Sequence, residues 1–310
     1  MRLPALPDAL PAPVVDDHTH LDAIHEMSGL DPELNLAASA SVGVTRVVQV
    51  GCDLASSQWA ADFAADHEQV VAAVAIHPND AARLVAREGA AALDSALDRI
   101  AELAGLGQVR AVGETGLDYY RTHGNDDRAV QRRAFAAHIE IAKATGRTLV
   151  IHDRDAHDDV LAVLDAEGWP QRTVLHCFSG GPDFARACLE HGAWLSFGGS
   201  VTFKPNAELR SALALAPPQQ ILVETDAPYL TPVPLRGRPN APYLVPHTLR
   251  LMAGVHGPDA QDLAGWCRRI DHNTDEAYGG HWGPADAPGP ARTASSPAGS
   301  TTTEGPNRHG

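Results

Sequence analysis

The sequence lacks any apolar stretch long enough to cross a membrane, because charged residues interrupt each hydrophobic run well before about 18 residues. Its N-terminus reads MRLPALPDALPAPVV, where repeated prolines and Asp8 interrupt the apolar core that a signal peptide would need. The sequence therefore predicts no membrane partner.

Cysteine is also scarce. The four cysteines, Cys52, Cys177, Cys188 and Cys267, show neither a CxxC pair nor the spacing of a disulfide scaffold. Thiols of this kind are typical of a reducing compartment, so we expect reduced cysteines and a cytoplasmic protein.

Positive charge is in short supply, since the formal net charge is −15. This balance argues against a protein that coats nucleic acid through a basic surface. It does not exclude an enzyme whose phosphate contacts are confined to one metal-charged pocket. Most of the basic residues are arginines, and the only lysines are Lys143 and Lys204.

The 310 residues, of which 44% are hydrophobic, can form one large domain or two small ones. Short β-branched or apolar runs recur along the chain and alternate with Ala- and Leu-rich segments of helical periodicity. The runs are Val14–Val15, Val44–Val50, Val70–Ile76, Val109–Val112, Thr148–Ile151, Thr173–Leu175, Ala193–Phe197 and Ile221–Val223. The clearest helical segments are Ala55–His67, Ala90–Leu106, Arg128–Thr145 and Asp158–Glu167.

Eight strands alternating with helices predict an α/β fold, a TIM-type (β/α)8 barrel formed by one domain over residues 14–282. An open, doubly wound sheet is the competing architecture, but no GxGxxG follows the first strand to support it. The last stretch, residues 283–310, is a mixture of Pro, Gly, Ser and Thr with almost no large apolar residue. We therefore expect it to be a disordered tail.

His, Glu or Asp follows six of the eight predicted strands. The motifs are DDHTHLD, IHPND, GETGLDYY, IHDRDAH, HCFSG and ETDAPYL. In a (β/α)8 barrel the C-terminal ends of the strands converge on one face, where active sites are built. Six side chains that can bind a metal should therefore meet there: His18, His20, Glu114, His152, His176 and Asp226.

Each of these residues has a simpler explanation when it is taken alone. His18 and His20 could be exposed loop histidines, and Glu114 could pair with an arginine. His152 and His176 could be hydrogen-bonded core residues, and Asp226 could cap a turn. Four imidazoles and two carboxylates at strand ends on one face of the barrel would nevertheless rarely meet by chance, and together they favour a metal site.

The donor set contains nitrogen and carboxylate oxygen but no cysteine. Such a set suits zinc, manganese, nickel or iron and, less naturally, magnesium. Six ligands are too many for one open catalytic site, but they suit two ions that share a bridging carboxylate. The sequence thus predicts two divalent metal ions, Mg, Mn or Zn, whose identity it does not specify.

The chain resembles the TatD family of metal-dependent deoxyribonucleases, within the wider amidohydrolase-like barrels. The resemblance covers roughly residues 15–279 and lies in seven motifs in order: HTHLD, IHP, GETGLDYY, IHDRDA, HCFSG, ETDAPYL and PLRGRPNAP. It implies hydrolysis of DNA phosphodiesters, typically from the 3′ end.

The resemblance also implies roles for individual residues. His18, His20 and Asp226 are similar to ligands of one metal, His152 and His176 to ligands of the other, and Glu114 to the bridge between them. Asp226 is the implied proton acceptor for the attacking water. The residues implied to contact substrate are His77, Arg121, Arg154, Ser179 and, on the rim loop that reaches Asn240, Arg236.

The implied partner is DNA, through single-stranded 3′ ends, because an acidic protein has little hold on a long duplex. No obligate protein partner is evident. Two departures from the family pattern stand out. Asp16 and Asp17 place two carboxylates ahead of His18, and Ala241 follows Asn240 where a glutamate is common.

Two other functions compete with this interpretation. The first is an amidohydrolase or lactonase that cleaves a C–N or C–O bond in a small molecule, in which a carboxylated lysine often bridges the metals. Here Glu114 occupies that place, and neither Lys143 nor Lys204 follows a predicted strand. The second is a barrel that has lost catalysis, but such a scaffold should show at least one substituted ligand.

Overall fold

A computed structural model describes residues 3–257 and 262–283 of the chain. The strands in these residues are β1 Val14–Thr19, β2 Val44–Val50, β3 Val70–Val74, β4 Val109–Asp118, β5 Thr148–Arg154, β6 Thr173–Leu175, β7 Trp194–Phe197 and β8 Ile221–Val223. The helices are α1 Leu21–Ser28, α2 Pro32–Ser41, α3 Leu54–Asp66, α4 Pro78–Glu88, α5 Ala90–Ala104, α6 Asn125–Thr145, α7 His157–Glu167, α8 Pro182–Glu190, α9 Ala207–Leu215, α10 Val245–His256 and α11 Leu263–Ala277.

The strands form one parallel sheet in the order β1 to β8, which is the order of the sequence. Closure comes from the segment just after β8. His20 N donates to Ala227 O at 2.9 Å, and Asp226 N donates to His18 O at 2.9 Å. This geometry confirms the predicted TIM-type (β/α)8 barrel. An open doubly wound sheet is excluded, because its strand order reverses part-way across the sheet.

Two apolar layers stabilise the barrel. The inner layer fills the space between the strands with Val15, Val48, Val50, Val71, Ala73, Ala111, Val150, Val174 and Leu222. The outer layer lies between the strands and the helices, and it includes fully buried leucine, isoleucine and phenylalanine side chains. Full burial of one such side chain contributes roughly 1.5–3 kcal/mol. Polar residues lie beyond these layers, at the C-terminal ends of the strands.

Residues 277–282 cover the opposite end of the barrel, where the strands begin. The Arg46 guanidinium lies 4.5 Å from the ring centroid of Trp282, and Thr148 Oγ1 donates to Ala277 O at 2.6 Å. Arg46 also pairs with Asp271 at 2.7 Å and with Asp275 at 2.6 Å. This end is therefore closed by packed side chains. The expected disordered tail lies outside the described residues from position 284 onward.

Local signals explain where several helices begin and end. Asp53 and Ser56 form a reciprocal capping box at the start of α3, and Pro78 occupies the first turn of α4. Gly146 ends α6 at φ 64°, a left-handed conformation that glycine adopts without a Cβ clash. No helix within the described ranges combines the length and apolarity needed to cross a membrane.

The predicted strands were too short at three of their C-terminal ends. β1 continues to Thr19, β4 to Asp118 and β5 to Arg154, because backbone pairing extends beyond the apolar run into polar residues. Apolar periodicity marks only the part of a strand that lies in the core. The polar extensions are the part of the barrel that carries the candidate site.

Candidate metal centre

The structure brings all six predicted ligands together at the C-terminal end of the barrel. His18, Glu114 and His152 lie within β1, β4 and β5, whereas His20, His176 and Asp226 lie just beyond β1, β6 and β8. His18, His20, Glu114 and His176 are buried, and His152 and Asp226 are half-buried. Six side chains that are spread over more than two hundred positions of the sequence thus meet in one polar cluster.

Glu114 lies at the centre of this cluster. Its Oε1 is 2.6 Å from His152 Nδ1 and 2.8 Å from His176 Nε2, and its Oε2 is 3.6 Å from His18 Nε2. Burial alone would raise the pKa of Glu114, but His176, His77 and His152 outweigh it and hold the pKa well below its usual range. Glu114 is therefore a carboxylate with one oxygen toward each side of the cluster.

His18, His20 and Asp226 form one group whose candidate ligand atoms all lie within 4.8 Å of one another. His20 Nε2 is 3.5 Å from Asp226 Oδ1. His20 Nδ1 is 2.9 Å from Val50 O, and because a carbonyl oxygen can only accept, Nδ1 carries the proton. In the neutral ring the lone pair is then on Nε2, facing the group, as a metal ligand requires. Burial would lower the pKa of His20, but Cys52 and Asp226 outweigh it and hold the pKa well above its usual value, so a cation would have to displace the Nε2 proton.

His18 supplies a test of whether a metal fits this group. The side chain is fully buried, and neither ring nitrogen has a hydrogen-bond partner within the described structure. An unsatisfied buried polar atom typically costs about 1–3 kcal/mol unless a ligand compensates. Burial and the neighbouring His176 both lower the pKa of His18, which favours the neutral imidazole that binds metals. The residues present fit a cation.

The second half of the cluster contains His152 and His176, each with a carboxylate behind it. His152 Nδ1 faces Glu114, while its Nε2 is 3.5 Å from Asp118 Oδ2. His176 Nε2 faces Glu114, while its Nδ1 is 3.4 Å from Glu224 Oε1. In this structure both near nitrogens lie within hydrogen-bond distance of the Glu114 carboxylate, which can only accept, so each carries a proton. Burial would lower the pKa of both rings, but Glu114, with Asp118 or Glu224, outweighs it and raises the pKa of His152 to about 9 and that of His176 well above its usual value. A cation would displace the inner protons, and the carboxylate behind each ring would then hold the outer one, as in metal-ligating histidines.

His77 also reaches the centre, with Nε2 3.5 Å from Glu114 Oε1, and it could join Glu114 and His152 around a cation. Its ring is oriented differently, however. Asn79 N donates to His77 Nδ1 at 3.1 Å, so the neutral ring carries its proton on Nε2. His77 therefore presents an N–H to the cluster, which suits a hydrogen bond to a substrate oxygen better than a bond to a metal.

Two more buried acids, Asp16 and Asp17, lie beside the centre on β1. Asp16 accepts from Thr225 N at 2.9 Å and from Thr225 Oγ1 at 2.6 Å, and Asp17 accepts from Ser196 Oγ at 2.6 Å. Burial raises the pKa of Asp16 to about 8, and burial with the nearby Glu224 raises that of Asp17. The two extra carboxyl groups ahead of His18 thus join β1 to β7 and to the segment after β8, and neither belongs to a ligand group in the described residues.

Sequence reasoning missed Asp118 and Glu224. Both residues stand inside motifs that it singled out, GETGLDYY and ETDAPYL. Their acidic side chains on nearly apolar strands were a usable signal, since a buried carboxylate needs a partner. Cys52 was missed as well. Its Sγ is 3.8 Å from Glu114 Oε2, and burial raises the pKa of the Cys52 thiol to about 11.

Of the four remaining predicted substrate contacts, Arg154 ends β5 and the other three lie on loops around the mouth of the barrel. Arg121 and Ser179 are exposed, and Ser179 Oγ donates to Asp153 O at 3.1 Å. The Arg154 guanidinium lies 3.9 Å from the ring centroid of Tyr120, and that of Arg236 lies 4.1 Å from the centroid of Phe203. None of these four contacts the six candidate ligands in the interactions seen for the described residues.

Asn240 holds the loop that carries Arg236. Its Nδ2 donates to Thr225 O at 2.9 Å and to Tyr229 O at 2.6 Å, and its Oδ1 accepts from Ala241 N at 3.0 Å. The side chain of Ala241 is fully buried. The loop is thus fixed to the segment after β8 by Asn240, with no glutamate at position 241.

Comparison with known proteins agrees with the family resemblance of the sequence motifs. The sequence model of the TatD related DNase family matches residues 15–279. A Mycobacterium tuberculosis protein named uncharacterized metal-dependent hydrolase TatD is 43% identical over 272 residues, covering 87% of this chain and 99% of the relative. The Escherichia coli K12 3′-5′ ssDNA/RNA exonuclease TatD is 35% identical over 237 residues, covering 74% of this chain and 86% of the relative.

Among solved structures, the TatD homologue YJJV from Escherichia coli superposes with a TM-score of 0.72 at 24% identity. The match covers 86% of this chain and 98% of that one. At this level of identity the likeness supports the fold.

Proposed function

The chain belongs to the TatD-related DNase family of metal-dependent hydrolases, and we propose that it is a 3′–5′ exodeoxyribonuclease acting on single-stranded DNA. The proposal names two divalent ions, Mg, Mn or Zn, as the cofactor. We also propose a cytoplasmic location, since Cys52, Cys177, Cys188 and Cys267 are all free thiols.

The observation that carries the proposal is the way in which the histidines around Glu114 are oriented. His20, His152 and His176 each have an oxygen acceptor behind the ring and direct the opposite nitrogen inward. Neutral His77 directs its N–H inward, because its outer nitrogen accepts from Asn79 N. Cations could displace the protons that His152 and His176 share with Glu114, so the site suits cations together with an anionic substrate oxygen.

Each residue then has a role that follows from its position. His18, His20 and Asp226 would hold one ion, His152 and His176 would hold the other, and Glu114 would be shared between them. When bound, divalent ions stabilise the negative charge that develops on a phosphodiester during hydrolysis. His77 Nε2–H donates to a phosphoryl oxygen, and Arg121, Arg154 and Ser179 bind neighbouring phosphates at the mouth.

Asp226 accepts the proton of the attacking water. Burial would raise the pKa of Asp226, but His20, His176 and His18 outweigh it and lower the pKa below its usual value. The group is therefore ionised at neutral pH and able to take a proton. Its backbone is held by the hydrogen bond from Asp226 N to His18 O at 2.9 Å, which fixes the carboxylate beside the ligands of β1.

The structure disfavours a bridging carboxylated lysine, the mark of the competing amidohydrolase or lactonase function. Lys143 is on α6, where its Nζ pairs with Glu140 Oε1 at 2.7 Å and donates to Glu167 O at 2.7 Å, outside the barrel mouth. Glu114 occupies the central position instead. A barrel without catalysis is disfavoured because all six ligand residues are present and adjacent.

A parallel assay tests the proposal. Protein stripped of metal and reloaded with Mg²⁺, Mn²⁺ or Zn²⁺ would be offered an end-labelled single-stranded oligonucleotide, a closed single-stranded circle and a lactone. We expect metal-dependent shortening of the oligonucleotide from its 3′ end and little cutting of the circle. Rapid cutting of the circle would refute the exonuclease. Lactone hydrolysis without nucleic-acid cleavage would establish the competing function.

A further inference from the structure

A pocket of about 330 Å³ lies on the loops beside the metal centre, and no candidate metal ligand lines it. Phe203, Pro228 and Leu230 give it apolar walls, and Arg236 and Arg238 add positive charge. Small-molecule sites of similar size, mostly apolar with a few polar groups, typically begin at about 300 Å³. The pocket thus has the size and lining of a binding site.

The walls of this pocket are fixed to one another. Val233 N donates to Thr202 Oγ1 at 2.9 Å, which joins the loop after β8 to the 3₁₀ turn Gly199–Thr202 that precedes Phe203. At Gly199 a Cβ atom would lie 2.0 Å from Leu230 O, so only glycine allows this close approach. The pocket is therefore a preformed part of the fold.

The pocket is close to the proposed reaction centre. Pro228 and Leu230 follow Asp226 by two and four residues, and an extended chain spans at most about 3.3–3.6 Å per residue. Tyr229 lies between them. Its N donates to Asp226 O at 2.8 Å, its side chain is 53% exposed, and its ring centroid is 6.4 Å from that of His20. A group in the pocket would be within about one or two nucleotide lengths of the site.

The stacked pair of Arg236 and Phe203 indicates what the pocket binds. The Arg236 guanidinium lies 4.1 Å from the centroid of Phe203, and the Arg236 side chain is exposed. A planar guanidinium held against a ring offers its other face for stacking on a flat aromatic group. In a chain of net charge −15, the exposed guanidinium of Arg236 on this apolar pocket also favours an anion. A nucleobase with its phosphate combines these properties.

We propose that this pocket binds a nucleobase of the single-stranded substrate, stacked on the Arg236 guanidinium that Phe203 supports. The inference rests on the proposed nuclease function. Stacking on such a plane tolerates any base, because each base has a flat π-face. The pocket would therefore select single-stranded substrates, whose bases are exposed, without selecting a particular base sequence.

Fluorescence of 2-aminopurine tests the stacking directly. A short oligonucleotide with 2-aminopurine near its 3′ end and phosphorothioate linkages, which resist hydrolysis, would be titrated with the protein. We expect strong quenching with the wild type and clear loss of it with Arg236→Lys, which keeps the charge but removes the flat plane. Equal quenching by both proteins overturns the inference, as does no quenching by the wild type.

Kinetics supply the second measurement, the ratio of the kcat/KM values for two substrates. We expect Phe203→Leu to lower kcat/KM for an oligonucleotide relative to kcat/KM for bis(p-nitrophenyl) phosphate, which has no base, by about 5- to 150-fold. Phe63→Leu is the matched control on α3, and it should leave the ratio within about twofold. An unchanged ratio in Phe203→Leu overturns the inference while the nuclease function stands. If the wild type cleaves no nucleic acid, the proposed function fails, and the quenching measurement still decides whether the pocket binds a base.

Discussion

His176 Nδ1 and Glu224 Oε1 lie 3.4 Å apart at the inner edge of the candidate metal centre, and both side chains are buried. Neither oxygen of Glu224 makes a hydrogen bond in the described structure. A buried carboxylate without such partners is costly unless it serves a neighbour. Here it faces the far nitrogen of a ring whose near nitrogen is 2.8 Å from Glu114 Oε1.

We therefore predict that Glu224→Gln weakens metal binding by about 10- to 100-fold, because it removes the charge that orients His176 and strengthens its Nε2 as a donor. Competition with a chelator measures the affinity. The free energy of unfolding of the metal-free protein should not fall, since a buried charge is lost. Glu102→Gln, on the exposed face of α5, is the control. Unchanged affinity in Glu224→Gln would assign the residue a purely structural role.

Glu114→Ala should remove both ions and nearly all activity, because Glu114 is the carboxylate closest to His18, His152 and His176 together. Elemental analysis of the purified variant measures the metal content per chain. Glu88→Ala, an exposed change on α4, should retain the wild-type content. Two metals and normal turnover in Glu114→Ala would show that the bridging role is wrong.

Asp226→Asn should fold normally but turn over about 10²- to 10⁴-fold more slowly, because an amide cannot accept a proton from water near neutral pH. Circular dichroism checks the fold, and steady-state kinetics with saturating metal give kcat. Asp183→Asn, at an exposed position on α8, controls for the substitution itself. Near-normal kcat in Asp226→Asn would remove this residue from the mechanism.

The orientation of His77 predicts that it binds substrate and not metal, and a variant can test this. Because its inward nitrogen carries the proton, His77→Ala should keep the metal content of the wild type while kcat falls by about 10²- to 10³-fold, as when one oxyanion donor is lost. His152→Ala is the comparison and should lose at least one ion. If His77→Ala loses metal to the same degree, His77 is a ligand.

His138 gives the protein an acid sensitivity that is independent of the metals. Burial lowers the pKa of His138 to about 4, against about 6.5 in an unfolded chain. The unfolded chain then binds more protons between these values. The contribution of His138 is thus fully present above about pH 6.5 and is lost as the pH falls toward 4, by about 3 kcal/mol.

Denaturant unfolding of metal-free protein between pH 7.5 and 4.5 measures this effect, with His138→Gln as the reference. The variant loses the hydrogen bond from Ile76 N to His138 Nε2 at 3.2 Å, so it should be less stable at pH 7.5. The difference in the free energy of unfolding between the two proteins should shrink as the pH falls. If the free energies of unfolding of the two proteins change in parallel with pH, the assigned pKa is contradicted.

The barrel and the convergence of the six candidate ligand residues could be predicted from the sequence because both depend on local patterns. Apolar runs located each strand, and a polar residue directly after a run, such as His176 after β6, had to lie on the mouth face. The family resemblance is confirmed by the match over residues 15–279. The metal and substrate roles of the individual residues remain predictions.

Other features could not be predicted because they depend on contacts between distant parts of the chain. The proton position on His20 depends on Val50, thirty residues away. The pocket of Phe203 and Arg236 depends on two loops that meet only in the folded barrel. Apolar periodicity also ended β4 at Val112, although pairing with β5 continues to Asp118.

Residues 277–282 close one end of the barrel, so in the described part of the chain the candidate site is open at the other end alone. Among the described residues, the inner apolar layer and Trp282 block the far end, so in the proposed exonuclease a strand end would enter and a cleaved nucleotide would leave by the same opening. The strand cannot slide through the barrel past the reaction centre. In the proposed nuclease, each released nucleotide would therefore have to clear the mouth before the shortened end advances.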